Sequence, residues 1–325
     1  MIITRTPFRI SFAGGGTDLP DFYRLETGAV VSTAVNKYMY IMVNKRFDDT
    51  VRVSYSKTEI VDSAEELQHP IVREALRQVG IKHGIEIVSI ADIPAGSGLG
   101  SSSSFTVGLL NALYAYKGQL KPAEDLAAMA CHIEIDLLKE PIGKQDQYIA
   151  AYGGFKYFQF NKDGSVFTEP VMYPRAKKEA LAEGLILIHT GSIRKASNIL
   201  AEVRNNIASE DKAALLRIMG SMAIELKEKL NSGCDPDVVA QYLHKGWLQK
   251  KKLAASISND RVDEYYERAL KCGALGGKIM GAGGDGFMLF YCPKDKQAGL
   301  LKVMKDNHPT RVSLEPEGSK IIFIS

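Results

Sequence analysis

The chain opens on a strand-like pattern over residues 2–12, with Ile2, Ile3, Ile10 and Phe12 among its apolar positions. Segments 29–35, 38–43 and 50–55 read as further strands, and residues 59–79 carry a helical pattern with Ile71, Ala75, Leu76 and Val79 on one face. A strand over 85–90 precedes an apolar helix at 105–116. Pro122 sits in the first turn of the next helix, which the pattern carries to about residue 139. Strands are predicted at 155–160 and 166–170. The character then changes: a short buried strand at 185–190 leads into helices at about 195–208, 211–230, 236–257 and 260–271. Strands at 287–291 and 321–324 are expected to complete a small second sheet. Strands and helices alternate irregularly, so the pattern predicts two α+β domains, residues 1–175 and 176–325, rather than one doubly wound sheet.

Three glycine-rich loops interrupt this pattern. Residues 93–104 place Gly96, Gly98 and Gly100 at alternate positions, then four serines that run into the apolar helix. Such a loop presents unpaired backbone N–H groups and the positive end of a helix dipole, and so predicts a phosphate site. Strand and helix flanks argue against a flexible linker. No Lys-Ser/Thr closes the loop as in a Walker A motif, and it lacks the ending of a dinucleotide fingerprint. Gly14, Gly15 and Gly16 follow the first strand, and a third glycine-dense stretch covers 276–286. One pocket between two domains could collect all three.

Composition narrows the class without choosing a chemistry. The 325 residues are 45% hydrophobic and 24% charged, as in a globular protein with real cores. A formal net charge of +3 implies no nucleic-acid partner, and Lys250-Lys251-Lys252 reads as a solvated helix face. Four scattered cysteines predict free thiols in a reducing, cytoplasmic setting rather than a disulfide frame or zinc site. No signal-peptide or membrane-span pattern is present.

Phosphoryl transfer needs a phosphate cradle, a divalent metal, a carboxylate near the attacking hydroxyl and a cation. Ser102 and Glu134 are the candidates for the metal; the alternative for Glu134 is a salt-bridged helix residue. Asp146, after a Pro-Ile-Gly break, is the candidate base, with a helix N-cap as its alternative. Arg9 lies inside an otherwise apolar strand, a costly position unless it faces a partner. His132 and His189 each stand alone and read as core or polar-network histidines.

The loops together carry a resemblance. Residues 7–18 (PFRISFAGGGTD) resemble the first motif of the GHMP kinases, and residues 94–103 (PAGSGLGSSS) match their nucleotide loop. Residues 278–286 (KIMGAGGDG) are similar to their C-terminal loop, with Asp285 where many members have a small residue. Within that family the stretches 9–20, 31–38, 143–148 and 150–154 look most like the D-glycero-D-manno-heptose 7-phosphate kinases. The resemblance implies a ribosomal protein S5 domain 2-like N-terminal domain and a ferredoxin-like C-terminal domain. It also implies transfer of the ATP γ-phosphate to the anomeric hydroxyl of heptose 7-phosphate, with ATP and Mg2+ required. By the same resemblance Asp146 and Arg9 take the catalytic places, and Ser102 and Glu134 those of the metal ligands. Pro94, Gly96, Ser97, Gly98, Leu99, Gly100, Ser101, Ser102, Ser103 and Gly283 take those of nucleotide contacts. Gly15, Gly16, Thr17 and Asp18 fall at the sugar. Gly14-Gly15-Gly16 replaces the Gly-Glu-His of galactokinase-type members, which argues against plain galactose. A second substrate phosphate would need cations; Arg194 and Lys195 are the candidates, with Lys37 and Arg24 behind them and a solvated face as the alternative. A fucokinase- or galactokinase-like sugar 1-kinase and a catalytically silent nucleotide- or sugar-binding regulator remain as other readings. The expected partner is a small-molecule sugar phosphate, with no nucleic acid and no membrane; a homo-oligomer stays open.

Overall fold

A computed structural model describes residues 1–191 and 196–325. Two sheets organise them. The larger has eight strands, and its spine is the pair Ile2–Ala13 and Gly28–Lys45, antiparallel along nearly their whole length. The second of these is one continuous strand, where the sequence suggested two. It serves two neighbours in succession: residues 28–33 pair with Phe155–Phe160, and residues 39–45 with Ile85–Ala91. The sheet therefore forks, and one arm carries Ile85–Ala91, the strand that leads into the serine-rich loop.

The smaller sheet holds Thr310–Arg311, Leu185–His189, Phe287–Tyr291 and Gly276–Ile279 in that order, all antiparallel. The expected strand at 321–324 does not join it. Lys320–Ile324 instead pairs with the first strand, Ile2 opposite Ile324, at the edge of the larger sheet.

Two further expectations are corrected. Residues 59–79 are not one helix: Thr58–Val61 is a strand, Ala64–Glu66 a single 3-10 turn, and the helix proper is Pro70–Val79. Pro70 fits the first helical turn, and Gly80 closes the helix in the left-handed conformation. The helix expected to reach residue 139 is α-helical only over Ala123–Cys131. It then widens into a π-helical turn, His132–Leu137.

The core follows from the strands. Phe8, Ile10 and Phe12 on the first strand are fully buried, as are Val107, Leu109, Leu110 and Leu113 of the apolar helix. That helix is buried nearly all round, which explains why its sequence shows little amphipathic character. Trp247, Ile257, Met288 and Phe290 centre a second cluster under the smaller sheet. Helices Glu210–Asn231 and Pro236–Lys250 pack against the first strand and join the two halves. Among the described residues, no helix is long and apolar enough to cross a membrane.

Candidate active site

A cavity of about 430 Å³ lies between the halves, and all three glycine loops line it. The serine-rich loop, residues 93–104, forms as its spacing demands. Gly96, Gly98 and Gly100 have φ of +75°, +79° and +77°, the left-handed region that glycine enters freely. Gly100 caps a helix that begins at Ser101, so the serines are its first turn rather than its approach. A Cβ on Gly98 would lie 2.7 Å from the Met280 carbonyl oxygen, so the middle and last loops touch backbone to backbone. Gly96, Gly98, Gly100, Ser101, Ser102 and Ser103 face the cavity, as does Gly283. Pro94, Ser97 and Leu99 do not line it. Pro94 is exposed. Ser97 and Leu99 are buried behind the loop, where the Leu99 carbonyl accepts from the Arg9 backbone N–H.

Arg9 meets Asp146 in a two-pronged pair, Nε to Oδ1 at 2.7 Å and Nη2 to Oδ2 at 2.6 Å. Its remaining prong donates to the Gly98 carbonyl at 2.5 Å. The planar guanidinium thus fixes both the carboxylate and the loop beside it. Asp146 is not a helix N-cap: it is the second residue of helix Gln145–Tyr152, whose N-cap is Lys144.

Glu134 is 1% exposed and makes no ion pair among the described residues. Ser102 Oγ donates to its Oε1 at 2.8 Å and Gln147 Nε2 to its Oε2 at 2.7 Å. Burial pushes its carboxyl up to about 7 against these hydrogen bonds. The wide turn at His132–Leu137 is what carries this carboxylate to the serine loop; such turns recur at functional sites.

Asp18 is buried against the same cavity. It accepts from Gly16 N at 3.0 Å, Gln145 Nε2 at 3.2 Å and Gln145 N at 3.2 Å. Burial, with the nearby Asp146 charge, raises its pKa. Gly143 permits this approach, since a Cβ there would sit 1.9 Å from Asp18 Oδ2. Gly15 and Gly16 line the cavity, but Thr17 does not. Its one hydroxyl proton is shared between Gly14 O and Ala29 O, and its oxygen accepts from Ala29 N, so it ties the turn to the neighbouring strand.

The structure adds residues that the sequence reading missed. Lys278 is 5% exposed and reaches across from the smaller sheet, its Nζ 3.2 Å from Ser11 Oγ. Lys250 is no solvated residue: its ammonium is enclosed and donates to Ile279 O at 3.2 Å and Gly281 O at 2.5 Å. Burial, with Lys278 and Arg9 nearby, lowers its pKa well below the ordinary lysine range. Lys251 pairs with Asp263, and only Lys252 is exposed as expected. A lysine inside the buried strand Gly276–Ile279 is the same kind of signal that singled out Arg9. Gln145 and Gln147 lie in the stretch 143–148 that carries the resemblance, but neither was given a role of its own.

Other candidates lie elsewhere. Arg24 is exposed and lines a separate polar cleft with Tyr23, Lys144 and Lys162, while Lys37 does not reach the cavity. Arg194 and Lys195 lie outside the described residues. His132 is exposed beside Asp136, and His189 accepts from Gly191 N. Asp285 is buried in the third loop and pairs with Arg261.

Known proteins share this fold. The family description "GHMP kinases N terminal domain" matches residues 61–154, and "GHMP kinases C terminal" matches 223–308. The chain belongs to the GHMP kinases. It is an ATP-dependent phosphotransferase with a hydroxyl group as acceptor. A D-glycero-alpha-D-manno-heptose 7-phosphate kinase from Campylobacter jejuni is 29% identical over 319 residues, 94% of this chain and 93% of that protein. An L-fucokinase/L-fucose-1-P guanylyltransferase from Bacteroides fragilis is 27% identical, over 94% of this chain and 36% of its own length. A crystal structure of a D-glycero-D-manno-heptose 1-phosphate kinase from Bacteroides thetaiotaomicron superposes with a TM-score of 0.80 over 100% of both chains, at 22% identity. Lactococcus lactis galactokinase superposes at 0.77 over 98% of this chain and 94% of that one, at 18% identity; these two show the shared fold.

Proposed function

We propose that the protein transfers the ATP γ-phosphate to the C1 hydroxyl of D-glycero-D-manno-heptose 7-phosphate, giving the 1,7-bisphosphate, a step toward nucleotide-activated heptose. The observation that carries this reading is the Arg9–Asp146 pair, fixed beside the serine loop and open to the same cavity as Asp18. Similarity to the C. jejuni heptose 7-phosphate kinase along nearly the whole chain supports the choice of sugar.

Each residue then has work that its position suits. The N–H groups of Ser101, Ser102 and Ser103, in the open first turn of their helix, would hold phosphate oxygens. Asp146 would orient the acceptor hydroxyl and take its proton, with Arg9 fixing the carboxylate. Asp18, held by Gln145, would receive a sugar hydroxyl. Ser102 and Glu134 fit Mg2+: a buried carboxylate without a cation partner beside a hydroxyl is the donor chemistry that ion takes. Among the described residues no group of three His, Cys, Asp or Glu gathers, so two protein oxygens plus phosphates and water would complete its shell. When bound, Mg2+ would draw charge from the β- and γ-phosphates. Arg194 and Lys195 remain the proposed holders of the 7-phosphate.

A second reading has its own observation. Leu19, Val203, Met219, Met222 and Leu253 give the cavity an apolar wall, which suits the methyl group of a 6-deoxy sugar such as L-fucose. ADP release with Mg-ATP against heptose 7-phosphate, mannose, galactose and L-fucose separates the two. Turnover confined to the heptose phosphate is expected. Turnover on a neutral sugar instead would discard the heptose assignment. ATP binding without turnover on any of them would favour a silent regulator.

A further inference from the structure

Lys278 is the cation in this site that the roles above leave unused. A lysine ammonium has three donors and no acceptor. Lys250 spends two of its donors on loop carbonyls. Arg9 spends its guanidinium on Asp146 and Gly98. Lys278, equally enclosed, makes one hydrogen bond, to the Ser11 hydroxyl, and no ion pair among the described residues. A buried charge left with unspent donors is costly unless something anionic arrives to take them. Its position says where that would be. Ser11 lies two residues beyond Arg9 on the same strand, so both side chains emerge on one face. Lys278, Arg9, Asp18 and Asp146 all line the one cavity, beside the serine loop.

We propose that Lys278 is a catalytic residue that donates to the phosphoryl group in flight, between the nucleotide loop and the hydroxyl held by Asp146. The bond from the γ-phosphorus to the β–γ bridging oxygen breaks, its electron pair leaving with ADP. The acceptor hydroxyl oxygen forms the new P–O bond, and its proton goes to the Asp146 carboxylate. Charge spreads over the three equatorial oxygens during transfer, and those oxygens take the two free donors of Lys278. Because Lys278 comes from the smaller sheet and Asp146 from the larger half, the site is complete only with both packed together. This assignment rests on the phosphotransfer reading and not on the identity of the sugar.

The charge state gives it a signature. Lys278 faces Arg9 and Ser11 on the first strand, Asp18 on the turn, and Lys250 on helix Pro236–Lys250. Burial first, then Arg9, push its pKa down to about 7, with Asp18 pulling upward. In the free enzyme its charge is therefore lost as pH rises through about 7, so kcat/KM should fall there. With phosphate bound the charge is retained, and kcat should hold to higher pH.

The test uses Lys278→Met and Lys278→Arg in the full chain. Calorimetry measures Mg-ADP binding with and without fluoroaluminate, a planar mimic of the moving phosphoryl group that needs no acceptor. Lys278→Met is expected to bind Mg-ADP within about threefold of the parent, to lose the tightening by fluoroaluminate, and to lose about a hundredfold or more in kcat. Lys278→Arg, permanently charged, is expected to abolish the fall in kcat/KM above pH 7. Tightening by fluoroaluminate in Lys278→Met equal to that of the parent would overturn the assignment. Loss of Mg-ADP binding itself would also overturn it, making Lys278 a bolt between the sheets. Failure of heptose phosphate as acceptor leaves the fluoroaluminate comparison intact and counts only against the sugar.

Discussion

At the scale of single residues, the site is built from charges that burial makes conditional. Asp146 has its cation in place, bound at both oxygens. Asp146→Asn is expected to lower kcat by about two to four orders of magnitude, while ATP binding measured by calorimetry survives. A loss of less than about tenfold, 1.4 kcal/mol of barrier, would remove Asp146 from the central role. Glu134 has only neutral donors, and burial raises its pKa to about 7 from an ordinary 4.5. The sign follows from linkage: the folded form holds its proton more tightly, so Glu134 costs stability as pH rises from about 4.5 through 7. Without metal, Glu134→Gln should therefore melt higher than the parent at pH 8, with the gap closing by pH 5. Added Mg2+ should raise the parent's melting temperature and leave the variant's unchanged. A gap independent of pH would mean that the buried carboxylate is not the source.

At the scale of elements, the contact between the middle and last cavity loops is the sharpest constraint. Gly98 and Gly281 approach backbone to backbone, and a Cβ on either falls 2.7 Å from an atom of the other loop. Gly98 also sits at φ +79°. Gly98→Ala should lower the melting temperature by several degrees and raise the KM for ATP more than that for the acceptor, in thermal melts and steady-state kinetics. A variant with parental melting and KM for ATP would show that the loops part freely. The π-helical turn at His132–Leu137 makes the same point differently. Within that turn, where the pattern predicted one helix to about residue 139, Glu134 meets Ser102 Oγ.

At the scale of the whole molecule, the chain closes on itself. Lys320–Ile324 covers the edge of the strand that carries Arg9, and the segment before it is pinned by Glu315 and Asn36 to the long central strand. Removing residues 320–325 should expose that edge, lower the melting temperature and promote association, followed by light scattering. Unchanged melting would mean that the last strand is an ornament to the sheet. The cavity itself is a property of this scale, since Arg9 and Asp146 come from one half and Lys250, Lys278 and Gly283 from the other.

Much could be read from the chain alone because local physics left marks on it. Alternate glycines running into serines and an apolar helix marked a loop that opens a helix, and Gly100 caps that helix at Ser101. Arg9 in a buried strand must find a partner; the residues alone left that partner unnamed, and the family resemblance pointed to Asp146. The fold class, the two-sheet plan and the family motifs carried the same kind of mark. Tertiary structure decided what depends on distant chain. The final strand is short and apolar, and nothing local says which sheet it will join. Thr17, Ser97 and Leu99 sit in motif positions but face away, because a loop's direction is set by what packs behind it. Lys250 reads as part of a solvated run until the third loop's carbonyls lie within reach of its ammonium. Lys278 acquires its unspent charge only when a sheet from the other half brings it to Ser11, a contact spanning 267 positions that no local pattern encodes.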